Sequence, residues 1–506
     1  MYTEGFCTRS IGTFEAMTLI FSLCVLPGMV VGYCLSIQLI LMTLGANYSQ
    51  QALLSITGYA FCLKLVFAPP IDTYYLAQIG KNKTYVVSLG IISGVLLLCY
   101  SPFAETAVEE KKVNSITVFW LLVTILVSFQ CCATESWTVS ICDKRYRKYM
   151  SILLHTGFCF GNWVSFNAFI CLNDIKWINE TFYGGKAQLS SPWVTHGQIC
   201  LFMAASSLAL ALYVLMMVKE KIITDNEDKL VVPEENERQD ALIDSNARDL
   251  VDRPSYQVNG LRGVFFEFIP KMFKNRGMRL LAFQIVVTRF FLELYKRSLD
   301  LRLVENGLPT GKLATLNAIK FPFIFLGGAL SSRFIKTGNL MKKFQLAVVA
   351  HVLVCLHRFY ITIQLRKPGS HPDRQFWPLL INYIFAIAED WTFYFWFAHL
   401  NQVITDVVYS STIIGIFLSV YNIGGWGVNP LGFKIIAMFE YYIEDGGYEY
   451  AVGLLTALAL VSLSLTWKNC QILDDMQVEE YRIMEREGNN KDIELINYLD
   501  SSVVEE

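Results

Sequence analysis

The chain has 506 residues, of which 54% are apolar and 17% charged, with a formal net charge of −2 and a mean hydropathy of +0.39. Soluble domains average about 25% charged residues, and a soluble chain of this length would need charged surface for about three domains. The deficit excludes most soluble readings, and the near-neutral balance carries no footprint for nucleic acid.

The apolar residues come in blocks long enough to cross a lipid bilayer. In chain order they fall at 17–42, 51–70, 85–100, 116–132, 149–172 and 198–218, and then at 278–295, 312–334, 344–363, 376–399, 411–439 and 450–467. The reading is an all-α membrane protein of twelve transmembrane helices, six and six. Spans of about twenty residues argue against a β-barrel, whose strands are about ten residues long and alternate. The first block is too long for a cleavable signal peptide and lacks an A-x-A exit.

The expected division is an N-terminal segment 1–16, a six-helix bundle 17–218, a central loop 219–275, a second bundle 276–467 and an acidic tail 468–506. The central loop contains DNEDKLVVPEENERQDALIDSNARD, polar, acidic and poor in aromatics, a composition that favours disorder. Both termini and this loop are expected in the cytosol. Basic residues in the short loops do not decide the orientation: ten fall inside, while eleven, among them Lys296, Arg297 and Arg302, fall outside. The ends of the central loop favour it. Asn47 and Asn179 are glycosylation sequons in expected outer loops, and Asn82 is one in an expected inner loop. The thirteen cysteines lie mostly in the spans, as small buried apolar residues do. With no CxxC pair, neither a disulfide framework nor a metal site is expected, and no cofactor.

The halves echo each other. LILMTLGANYSQQALLSITGYAF joins spans one and two, and LRLVENGLPTGKLATLNAIKF joins spans seven and eight; each turns at a Gly and enters a helix rich in small residues. Ala52 to Asp72 and Leu313 to Arg333 are both 20 residues. Two six-helix halves with a long central loop form the major facilitator pattern, in which substrate binds at the midplane between the halves.

Ionisable residues inside spans are costly and point to function. Lys64 lies in FCLKLVFAPPID of span two, Arg289 and Glu293 in TRFFLELYKR of span seven, and Lys320 in LNAIKFPF of span eight. Glu135 lies at the end of span four, His351, His357 and Arg358 in span nine, and Glu389 and Asp390 in span ten. Arg289 and Glu293 are spaced for a local i,i+4 pair, and Lys64 could instead cap carbonyls released by Pro69 and Pro70. Together Lys64, Arg289 and Lys320 would make a central cavity basic and suited to phosphate or carboxylate groups. Glu135, Glu293 and Glu389 are the candidates for carrying a proton, because burial raises a carboxylate pKa.

Five segments resemble one family. PGMVVGYCLSIQLILMTLGANYSQQALLSITGYAFCLKLVFAPPIDTYY resembles the opening of the acetyl-coenzyme A transporters (solute carrier family 33), matching at Gly28, Gly32, Tyr48, Gln51, Lys64, Pro69 and Asp72 among others. QCCATESW resembles the family's QDIAVDGW, with Glu135 for an Asp and Cys131 in place of the first Asp. HTGFCFGNWVSF matches at Gly157, Gly161 and Asn162, and LRLVENGLP at Glu305, Gly307 and Pro309. LNQVITDVVYSSTIIGIFLSVYNIGGWGVNP matches at Asn401, Asp406, Asn422, Gly424 and Gly425, with a departure after the Gly pair. The resemblance implies import of acetyl-CoA from the cytosol across the endoplasmic reticulum membrane, with the Golgi or another endomembrane as alternatives. Among the matched residues Asp72, Asp406, Gly424 and Gly425 are the candidates for gating, with close helix packing alone the alternative for the Gly pair. A homodimer is compatible with it. Transport of another organic anion, or a scaffold role without transport, stays open. A membrane-embedded enzyme does not fit, because no HxxxxD site or nucleophile–base arrangement stands out.

Overall fold

The computed structural model describes residues 13–76, 78–141, 147–184, 189–218, 260–367, 375–403, 410–443, 446–476 and 478–481. Most of the expected central loop, and Asp406, lie outside the described residues.

The described residues form helices and connecting turns, with no strand among them. In the first half, α1 runs Thr13–Thr43. Helix α2 is a broken rod from Tyr48 to Thr73, interrupted by a 3-10 turn at Ile56–Gly58 and again at Leu63. Helix α3 begins at Lys81–Tyr100, and α4 is Val113–Ile141. Helix α5 joins Arg147–Asn162 and Phe169–Asn173 through a π turn at Trp163–Ala168, and α6 is His196–Met217. In the second half, α7 is Arg276–Glu305, α8 Thr310–Lys336 and α9 Leu340–Arg366. Helix α10 joins Phe376–Phe385 to Ile387–Val403, α11 joins Ser410–Ile423 to Asn429–Tyr442, and α12 is Gly447–Asp475.

Eight of these rods are apolar and long enough to cross a membrane, or nine with the α11 pair, which bends by 40°. The other three, α5, α7 and α10, carry His155, the charged run from Arg289 to Arg302, and the Glu389–Asp390 pair. Helix α7 shows the cost of judging a span by hydropathy. The sequence pattern ends it at residue 295 and assigns Lys296, Arg297 and Arg302 to an outer loop. The helix continues to Glu305; Arg289, Glu293, Lys296, Arg297 and Asp300 share one face, while Arg302 turns away to pair with Glu305 and Glu440.

Local sequence sets the helix ends. Asn47 and Gln50 form a reciprocal capping box at the start of α2, and Thr195 and Gln198 form one at the start of α6. The internal repeat is visible in backbone geometry. Gly45 and Gly307 turn between the first two helices of each half at φ +90° and +93°, where a Cβ would be strained. Asn82 is buried and bonded to Ser136, and Lys83 donates to the carbonyls of Leu215 and Val218 at the end of α6. Its burial keeps that sequon from an acceptor's surface role.

Lipid is as apolar as leucine, so helices in a membrane associate by close packing of small residues and by interhelical hydrogen bonds. A Cβ on Gly28 would lie 2.0 Å from the Phe158 carbonyl oxygen, and one on Gly161 would lie 1.9 Å from that of Val25. These glycines let α1 and α5 touch backbone to backbone. The second half repeats the device: a Cβ on Gly432 of α11 would lie 1.8 Å from the Leu294 oxygen of α7.

The halves meet on both sides of the centre. On the side of the α2–α3 loop, Asp72 reaches α11, and Leu65 N donates to Ser419 Oγ at 2.6 Å. On the other side Tyr48 OH donates to Glu305 at 3.3 Å, and Asp174 accepts from Thr310 Oγ1 at 3.1 Å.

Candidate functional site

Between these two closures lies a cavity of about 280 Å³ lined from both halves. Lys64, Arg289 and Lys320 all face it, as do Glu135 and Glu389, so side chains far apart in sequence share one chamber. Glu293 lies behind the wall against Arg289.

Each expected cation has a carboxylate partner. Lys64, 2% exposed, donates to both oxygens of Glu135 at 2.6 and 2.8 Å and approaches Cys131 Sγ at 3.6 Å. It does not cap the carbonyls near Pro69 and Pro70. Arg289 Nη2 donates to Glu293 Oε1 at 2.7 Å, the i,i+4 pair the spacing suggests. Lys296 lies 3.0 Å from Glu293 Oε2 and also pairs with Glu389. Lys320 Nζ lies 3.6 Å from Asp390 Oδ2. Arg358 donates to Asp300 and to Asn382, both at 2.9 Å. Unpaired, each charge would cost several kcal/mol at membrane depth; pairing is what allows so many in one chamber.

The charge is distributed unevenly. The first half supplies Lys64, Glu135 and His155, while α7 to α10 supply the rest. Six cations line the chamber, Lys64, Arg289, Lys296, Arg297, Lys320 and Arg358, against the five carboxylates Glu135, Glu293, Asp300, Glu389 and Asp390. With His155 counted as neutral, the formal surplus is one positive charge.

Two features escape sequence reasoning. His155 of α5 bonds Asp390 of α10 across the halves at 2.8 Å, and Cys159 Sγ sits 3.4 Å from the same imidazole nitrogen. These three groups are close enough to share a metal ion, but the Lys320 ammonium beside Asp390 opposes a second cation there. Arg297 is the other. The signal for it was the helical period itself: 289, 293, 296, 297 and 300 fall on one face of a helix continued past residue 295.

The gating candidates lie at the seams. Asp72 Oδ2 accepts from the backbone N and Oγ1 of Thr412 at 3.0 and 2.7 Å, and the carboxylate pairs with Lys81. It thereby caps the start of α11 from the opposite half, where the helix dipole favours an anion. Gly424 and Gly425 sit at the α11 bend against α7. A Cβ on Gly424 would lie 3.4 Å from Arg289 Cβ, and one on Gly425 would lie 3.2 Å from Arg289 Nη2. Asp72→Ala is expected to loosen this seam, since a hydrogen bond to a charged group contributes about 1.5–3 kcal/mol. Spin labels at Tyr75 and Asn339, with exposed Cys99 replaced by Ser, should report a longer distance distribution in the variant than in wild type. Identical distributions would show that Asp72 does not hold the seam.

Two helical halves closing on a charged central cavity form the architecture of the major facilitator fold. The crystal structure of the fucose transporter FucP in its outward conformation superposes with a TM-score of 0.54, at 12% identity, over 92% of this chain and 100% of that one. A variant of the E. coli fucose:proton symporter FucP gives 0.52 at 13% identity, again over 92% and 100%. The sequence model of the family described as acetyl-coenzyme A transporter 1 matches residues 16–365, and the chain belongs to that family. The Saccharomyces cerevisiae protein called "Uncharacterized membrane protein YBR220C" is 21% identical over 301 residues, 56% of this chain and 53% of that one. "Uncharacterized protein C21B10.09" of Schizosaccharomyces pombe is 26% identical over 135 residues, 26% of each chain. The match spans about half the length of the first relative and about a quarter of the second.

Proposed function

We propose that this transporter moves acetyl-CoA from the cytosol into the lumen of the endoplasmic reticulum by alternating access. The observation that carries the reading is a cavity between the halves with a cationic surplus, lined by Lys64, Arg289 and Lys320, in a chain of this family. Alternating access would break one of the two inter-half seams at a time, Asp72–Thr412 on one side and Tyr48–Glu305 on the other. The test is uptake of labelled acetyl-CoA into proteoliposomes holding the full chain, with CoA, nucleotides and dicarboxylates as competitors. Saturable uptake competed by CoA supports the reading; uptake no faster than in empty liposomes sinks it.

One observation favours a second cargo, another organic anion. Cys131, which stands where the family motif has an Asp, lies against the Lys64–Glu135 pair, with its Sγ 3.3 Å from Glu135 Oε1. This chamber therefore has one acidic group fewer around Lys64 than the family motif implies. The same competitor panel separates the two cargoes.

A further inference from the structure

Helices α7 and α11 build two arginine–aromatic stacks in the cavity wall. The Arg289 guanidinium carbon lies 3.8 Å from the centre of the Tyr421 ring, and that of Arg297 lies 4.4 Å from the centre of the Trp426 ring. The arginines are eight residues apart, about two helical turns, so they share one face of α7. The rings lie on either side of the Gly424–Gly425 bend.

The stacks differ in charge. Arg289 is neutralised by Glu293, one turn away. One turn beyond Arg297 lie Asp300 and the apolar Leu301, and Asp300 is taken by Arg358 and by Tyr383 OH at 2.7 Å. Among the described residues Arg297 forms no ion pair, and its Nε is buried without a hydrogen-bond partner. Of the lysines and arginines of the chamber, Arg297 is therefore the one left without a carboxylate partner among the described residues. It faces both the main cavity and a narrow recess beside it, shared with Gln38 and Asn429. Trp426 is fixed in turn, with a Cβ on Gly58 lying only 3.1 Å from its own Cβ.

A partly buried, unneutralised guanidinium held flat by a ring presents its remaining N–H groups as a rigid fork, a geometry that matches phosphate oxygens. We propose that Arg297, stacked on Trp426, is the anchor for a phosphate group of the transported anion. The paired cations Lys64, Arg289 and Lys320 then hold the chamber's internal geometry, and the cargo completes the one charge that the protein leaves open. This rests on the anion-transport reading above and names the residue that would make the contact.

The test uses the full chain in nanodiscs, with binding measured by calorimetry for acetyl-CoA, adenosine 3′,5′-bisphosphate, inorganic phosphate and succinate. Arg297→Gln should weaken phosphate-bearing ligands about 10- to 100-fold, the loss of one charged hydrogen-bonding group. Arg297→Lys should fall between, keeping the charge but losing the fork. The wild-type salt dependence should flatten in Arg297→Gln. An unchanged thermal midpoint would show that the variant folds; if it does not fold, Trp426→Phe, which keeps a ring under Arg297, and the Lys variant carry the comparison. Equal affinity of wild type and Arg297→Gln would overturn the proposal, as would succinate binding that depends on Arg297 while the phosphates do not. If wild type binds the bisphosphate through Arg297 but not acetyl-CoA, the anchor stands and the acetyl-CoA reading falls.

Discussion

Lys64→Ala should destabilise the protein more than the double replacement Lys64→Ala with Glu135→Ala. Lys64 and Glu135 are both buried, and two hydrogen bonds join them. Removing one partner of a buried pair leaves the other charged and unpaired, which costs about 3–5 kcal/mol, whereas removing both leaves no unpaired charge and costs only the lost packing. Thermal unfolding of the purified protein in detergent should show the single variant well below wild type and the double variant between the two. If single and double variants unfold together, the pair is not coupled and Lys64 is exposed to compensating water or ions. Transport by the double variant separates architecture from cargo binding: retained uptake would assign Lys64 to the structure of the chamber, in line with Arg297 as the contact.

Gly161→Val should abolish monodisperse folded protein, and Gly432→Val should do the same in the other half. At both positions a Cβ would fall under 2 Å from a backbone carbonyl oxygen of the neighbouring helix, Val25 for one and Leu294 for the other. A backbone cannot rotate aside as a side chain can, so the helices must separate. Typical overpacking costs about 1–3 kcal/mol, and a clash between backbones lies at the upper end or beyond. Gly453→Val is the control, since nothing lies within 4 Å of a Cβ there. Size-exclusion profiles after extraction should show aggregation for the first two and a wild-type peak for the control. A normal peak for Gly161→Val would mean that α1 and α5 do not need contact at that point.

These two expectations divide between what could be read in the chain and what could not. The glycines at 28, 32, 157 and 161 are spaced four apart within apolar blocks, and small residues at that spacing mark close helix contact in lipid. Arg289 with Glu293 was legible for the same reason, both members lying on one helix. Lys64 and Lys320 could be singled out as charges that a bilayer penalises. Their partners could not be named, because Glu135 is 71 residues from Lys64 and Asp390 is 70 residues from Lys320, and ordinary sequence spacing carries no information across such a loop. Arg297 was misplaced outright. Its neighbours Lys296, Asp300 and Arg302 lower the local hydropathy, and a span judged by apolar content stops just before them.

The sequence by itself determined the solvent and the plan. A chain with 54% apolar residues in bilayer-length blocks must satisfy its backbone within helices, and the repeated Gly turns and capping boxes place the helix ends. Tertiary structure alone decided the chemistry of the chamber. Which charges cancel is set by how α4 meets α2 and how α10 meets α8, and that packing leaves Arg297 as the one cation facing the cavity without an anion among the described residues.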